Sequence, residues 1–180
     1  MRSGVAYVIL GALNAGPRSG YEVKQLVDKA TRFFWAASYG QIYPELRRLR
    51  DEGLIAATGD DEGGRRRVRY ELTDTGRDAL VEWLRAPVSR YELRDEGLLK
   101  LFFADALGPD DALALVRSFK AQRQAGLAQL RAIGADPEKR PTGFHAVVLG
   151  YGLEFYEHEV AWAERLETRL SDATKEGVER

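Results

Sequence analysis

A chain of 180 residues with 44% hydrophobic content can bury one core or two small ones. The absence of cysteine excludes a disulfide framework, a thiolate zinc site and a thiol nucleophile, and fits a reducing compartment. Net charge is −1, but residues 1–86 carry 14 Lys and Arg against 12 Asp and Glu, whereas residues 87–180 carry 13 against 16, so an anionic partner is expected to meet the first half.

Residues 5–13 are apolar almost without interruption and stop at Gly16-Pro17, which reads as a buried first helix. The run is too short to span a bilayer and lacks a cleavage signal, so the expected location is the cytoplasm, away from membranes. Ser19-Gly20-Tyr21-Glu22 forms a capping box, and Val23, Leu26, Val27 and Ala30 follow at i, i+3, i+4, i+7, which predicts a second, amphipathic helix. An aromatic turn with Phe33, Phe34 and Trp35 comes next, read as turn packing. Ser38-Tyr39-Gly40-Gln41 then caps a third helix whose inner face is Ile42, Leu46, Leu49 and Gly53. Its opposite face collects Gly40, Pro44, Arg47, Arg48 and Asp51 at 100° per residue.

Residues 54–58, a Gly-rich turn over 59–64 and the alternating residues 65–72 predict a two-stranded wing. Thr73 caps a fourth helix with Leu80, Trp83 and Leu84 on its inner side, closed by Pro87. Beyond it the pattern is helical throughout, over 94–107, 109–133 and 144 to about 174, with breaks at Gly108-Pro109 and over 134–141. On the last helix Phe144, Val148, Tyr151, Phe155, Trp162, Leu166 and Leu170 form an apolar stripe about 45 Å long. The expected fold class is mainly α: a winged helix-turn-helix over 1–86 with an α+β wing, followed by an all-helical dimerisation domain over 87–180.

Two short helices followed by a hairpin bearing arginines suit duplex DNA, since phosphates need Lys or Arg and base edges are read by Arg or Gln. Gln41, Arg47 and Arg48 are the expected base readers. The wing residues Arg65, Arg66, Arg67 and Arg69 are expected to hold the backbone, although Asp60, Asp61 and Glu62 partly cancel their field. Lys24, Ser38 and Tyr39 join the candidate DNA-binding set by their position on the same two helices. The long stripe needs cover, and a second copy of the chain is expected to supply it, with Val148, Tyr151, Phe155, Trp162 and Leu166 at the seam and Leu101 and Phe102 packed against them.

These residues carry a resemblance to a known family. The segments 9–13, Gly16-Pro17 and 19–23, the run Gly40-Gln41-Ile42-Tyr43-Pro44-Glu45-Leu46, and Tyr70-Glu71-Leu72-Thr73 with Gly76 resemble the PadR-type transcriptional regulators. Residues 98–103 resemble the start of the longer C-terminal domain of that family. The resemblance implies a homodimer that represses transcription from an inverted-repeat operator, released by a small hydrophobic or aromatic effector. It also suggests that Tyr21 and Tyr43 touch phosphates through their hydroxyls. Gly97 departs from the pattern, where a bulkier apolar residue is expected.

The rival reading as an enzyme rests on His145, His158, Glu154, Glu157 and Glu159. Its spacing fails, because Glu154 and His158 are four apart where a four-helix di-metal site needs Glu-x-x-His, and no second copy exists. Neither a nucleophile elbow nor a phosphate-cradling Gly loop is present, so no catalytic site, metal or cofactor is expected. A winged-helix adaptor making protein contacts without DNA is the remaining alternative, and would lack salt-dependent DNA binding.

Overall fold

The computed structural model describes residues 2–16, 18–31, 33–58, 68–88, 93–135 and 140–178, the last five by their backbone alone. Its contacts separate into two compact units, Met1–Arg90 and Tyr91–Arg180.

In the first unit, α1 (Gly4–Asn14) begins where the Ser3 hydroxyl accepts the Ala6 amide at 3.2 Å, and it buries Ala6, Ile9, Leu10, Ala12 and Leu13. A two-residue strand β1 (Arg18–Ser19) leads into α2 (Gly20–Leu26), where the capping box closes. The Glu22 carboxylate accepts the Ser19 amide at 2.7 Å, and the Ser19 hydroxyl accepts the Glu22 amide at 3.3 Å. A π turn over Val27–Thr31 follows. Helix α3 (Tyr39–Asp51) buries Ile42, Leu46 and Leu49, and beyond its end Gly53 takes φ +71°, the left-handed conformation that stops helices cheaply only at glycine.

Strands β2 (Ile55–Thr58) and β3 (Arg69–Leu72) pair antiparallel, with Ile55 opposite Leu72 and Thr58 opposite Arg69. β1 pairs with the other edge of β3, Arg18 opposite Tyr70, so the sheet has three strands in the order β1-β3-β2 where a two-stranded wing was expected. A strand of two residues is too short to show alternation, so its sequence carries no strand signal. Helix α4 (Asp74–Arg85) starts with the Thr73 hydroxyl accepting the Gly76 amide at 3.0 Å. One expectation fails here: Leu84 is 66% exposed. Gly76, Ala79 and Leu80 set the inward side, and Leu84 lies about 90° from their mean direction at 100° per residue. Trp83 stays half-exposed, with its ring stacked on Tyr7 of α1 at 4.4 Å.

Isolated helices as short as α2 do not hold in water. α2 is fixed by a shared core in which Ile9, Leu10, Val23, Val27, Ile42, Leu46, Leu49 and Ile55 are fully buried, each stabilising by about 1.5–3 kcal/mol. At Gly20 the start of α2 comes so close to α3 that a Cβ would lie 2.8 Å from the Tyr43 ring.

The second unit contains α5 (Glu96–Phe102), a 3-10 turn over Ala104–Ala106, α6 (Pro109–Ala135) and α7 (Gly143–Val178). The helix expected over 94–107 is therefore shorter. The Asp95 carboxylate caps it at the Leu98 amide (2.9 Å), and Phe103 leaves helical geometry at φ −104°, ψ 12°. α6 and α7 form an antiparallel hairpin, in which Phe119 meets Trp162, Tyr156 lies over Gly126 and Leu130 reaches Gly152. The face of α6 turned to this packing is Leu113, Val116, Phe119, Arg123, Leu127 and Leu130. Gly97 has a steric reason, since a Cβ there would stand 2.6 Å from the Phe119 ring.

Candidate nucleic-acid interface

The face of α3 opposite its buried residues is open to solvent. Tyr39, Gly40, Tyr43, Pro44 and Arg47 are exposed along it, with the Tyr39 and Tyr43 rings stacked at 6.1 Å. Pro44 lacks the amide that would bond to Gly40, and such a loss is tolerated where the ring faces solvent near a helix start. Ser38 and Gln41 are engaged with each other: the Gln41 Oε1 accepts the Ser38 amide at 2.9 Å and its hydroxyl at 3.2 Å. Lys24 of α2 reaches over the Tyr39 ring, 5.3 Å from its centre, and the Tyr21 hydroxyl accepts from Gln25 Nε2 at 3.0 Å. Tyr21, Lys24, Ser38, Tyr39, Gln41, Tyr43 and Arg47 are thus brought to neighbouring parts of the α2–α3 pair.

The two arginines among the expected base readers sit differently. Arg47 is exposed and has no ion pair among the described residues. Arg48 donates to Glu45 at 2.5 Å and lies 3.6 Å from Glu52. The hydrogen bond to Glu45 raises the pKa of its guanidinium further. Its flank of α3 turns toward Arg2 of the N-terminus, whose Nε donates to Glu52 at 3.2 Å. On the wing, Arg69 stands 3.6 Å from Glu22. The Ser19 amide and hydroxyl, and then Arg69, hold the Glu22 carboxyl below the usual carboxylate range. Arg65, Arg66 and Arg67 lie outside the described residues.

Within the second unit, the apolar stripe of α7 divides along its length. Phe144, Val148 and Tyr151 are exposed, and so is Phe102 of α5, at 78%. Leu101, Phe155 and Leu166 are half-buried; Phe155 stacks on Tyr151 at 6.2 Å. Trp162 rests edge-on against Phe119 at 5.8 Å, and so contributes to the packing of α7 on α6. Among the described residues no helix is long and apolar enough to cross a membrane, and no group of three or more His, Asp and Glu could hold a metal ion.

Two features escaped the reading of the sequence. The acids that hold the cations of the interface, Asp28 on Lys24 and Glu45 and Glu52 on Arg48, were signalled by their i, i+3 and i, i+4 spacing on helices. The second is a charged cluster inside the second unit. Arg123, 7% exposed, is ion-paired with Asp95 and has Glu159 Oε2 2.8 Å from its Nε, without the alignment of a directed hydrogen bond. Its guanidinium also lies 4.3 Å from the centre of the Phe119 ring. Burial pushes the Glu159 carboxyl up, against the pull of Arg123. The signal was an arginine in step with Val116, Phe119, Leu127 and Leu130 on the apolar face of α6.

The model of the transcriptional regulator PadR-like family matches residues 9–82, and that of the virulence activator alpha C-terminal region matches residues 93–171. The negative transcriptional regulator PadR of Bacillus subtilis is 33% identical over 171 residues, which cover 89% of this chain and 93% of that one. The crystal structure of B. subtilis PadR in complex with operator DNA superposes with a TM-score of 0.78 at 31% identity, over 93% of this chain and 99% of that one. The structure of the same protein in complex with p-coumaric acid gives 0.70 at 30%, over 95% and 99%.

Proposed function

Because the chain belongs to the PadR-like family of transcriptional regulators, which are not enzymes, we propose that it is a repressor. It binds an inverted-repeat operator as a homodimer and is released by a small aromatic effector. The observation that carries this reading is the outer face of α3, where Tyr39, Tyr43 and Arg47 stand exposed opposite the buried Ile42, Leu46 and Leu49. A helix anchored on one side and open on the other, next to a wing, is what a major groove accepts. The operator complex and the p-coumaric acid complex of the B. subtilis relative support the DNA and effector parts.

In this reading Arg47 reads base edges, while Tyr21, Lys24, Ser38, Tyr39, Tyr43 and the wing arginines 65, 66, 67 and 69 hold phosphates. Gln41 reads once its tie to Ser38 opens, and Arg48 contributes less because two carboxylates already hold it. The second unit, Tyr91–Arg180, makes the dimer through the exposed Phe102, Val148 and Tyr151, flanked by Leu101, Phe155, Trp162 and Leu166.

Selection of bound duplexes from a random pool, followed by titration against salt, tests the proposal. The expected result is an inverted repeat with half-sites about 10 bp apart, or a multiple of that, bound with steep salt dependence. Arg47→Ala costs about 1–3 kcal/mol on the selected site and much less on random duplex, and Arg48→Ala costs less than Arg47→Ala on the selected site. Failure to retain any duplex at low salt overturns the reading.

A further inference from the structure

Most of the cations near the recognition helix already have an anion. Lys24 is ion-paired with Asp28 one turn along, with its side chain largely covered. Arg69 faces Glu22, which the Ser19 cap keeps ionised. Arg50 pairs with Asp51 at 3.0 Å, and Arg48 with Glu45 and Glu52. Arg47 is the exception on α3 among the described residues. Among the described residues, the α2–α3 pair is therefore close to neutral despite its basic side chains.

We infer that Asp28 and Glu22 are intramolecular competitors of the DNA phosphates, occupying Lys24 and Arg69 until duplex displaces them, and so limit the affinity for any polyanion. The inference rests on the DNA-binding reading above. A phosphate that takes Lys24 must leave Asp28 with a small cation from solution, so part of the counterion release that drives binding is returned. The Arg69–Glu22 pair and the Asp28 side of the other pair are open to solvent, and pairs open in this way are weak enough to exchange. A duplex can therefore displace them, at the cost of some affinity and a shallower dependence on salt.

The test uses Asp28→Asn and Glu22→Gln in the full chain, with Asp78→Asn on α4 as the control that removes the same charge from a helix packed on α1. Glutamine keeps the oxygen that accepts the Ser19 amide, and Asp28→Asn is independent of that cap. Fluorescence anisotropy on a random-sequence duplex across a salt series should show affinity raised about two- to fivefold by each variant, with the salt slope steeper by up to about one. Equal gains from Asp78→Asn overturn the inference, because general charge then accounts for them. Weaker binding by Asp28→Asn also overturns it, because Asp28 then positions Lys24 instead of competing for it. A parent chain that binds no duplex overturns the DNA-binding reading itself, and this inference with it.

Discussion

Replacing Arg123 by Met removes one charge from a buried set of three and strands the other two. The side chain of Arg123 is 8% exposed and those of Asp95 and Glu159 are 15% and 12%, so water cannot take over from the guanidinium. Two carboxylates are left facing each other, and the Phe119 ring loses the cation stacked on it. Breaking a buried pair in this way costs about 3–5 kcal/mol, and the lost cation–π contact is part of the same site and does not simply add. The triple variant Arg123→Met, Asp95→Asn, Glu159→Gln leaves no stranded charge, and asparagine caps α5 as well as aspartate does. Replacement of a whole buried ionic set is often neutral, so the triple variant should recover most of the loss. Urea unfolding of the full chain at neutral pH, followed by circular dichroism, measures both. A single variant within about 1 kcal/mol of the parent, the range of a surface ion pair, refutes the reasoning, as does a triple variant no more stable than the single one.

Glu159 also sets a pH dependence with an unusual sign. Its carboxyl is raised in the folded chain, so above the ordinary value of 4.5 the folded state keeps a proton that the unfolded state has released, and this contribution to stability falls as pH rises through that window. The stability of the parent relative to Glu159→Gln should therefore fall with rising pH; unfolding midpoints that track each other across the range count against it. Gly97→Ala should cost about 1–3 kcal/mol by overpacking, because Phe119 is held between Trp162 and Arg123 and cannot yield; thermal unfolding reads the loss, and an unchanged midpoint refutes it. Tyr151→Asp puts a charge on an exposed part of the α7 stripe, where the residue is 64% exposed and spends little on its own protomer. Sedimentation should show monomers that no longer bind the selected operator, and a dimer that still binds it moves the seam elsewhere.

Local chemistry made much of the fold legible. The capping box at Ser19-Glu22, the i, i+4, i+7 face of Ile42, Leu46 and Leu49, and the Thr73 cap each depend on neighbours within a turn or two, and each forms as read. What was missed depends on distant partners. β1 exists only because β3 offers an edge to Arg18 and Ser19. Gly97 looked like a lapse in an apolar pattern until Phe119 of α6 supplied the reason. Leu84 was assigned inward because the spacing from Leu80 allows it, but only the position of α1 decides how wide the inward face of α4 is.

The same division runs through the candidate site. Residue type and the 100° step suffice to put Arg47 and Arg48 on the side of α3 away from Ile42 and Leu46, and the spacing offers each an acid at i+4, Asp51 to Arg47 and Glu52 to Arg48. They are separated by Ser3, 42 residues before Glu45, whose hydroxyl donates to that carboxylate at 2.8 Å and helps to fix it beside Arg48. Arg2 does the same for Glu52. A Glu-x-x-Arg spacing on an open helix face is a solvated pair of little consequence; braced by the N-terminus of α1, it becomes, in the proposed function, a constraint on which arginine is ready to meet DNA. The balance between reading and masking on this face is therefore a tertiary property, set by where α1 begins as much as by the composition of α3.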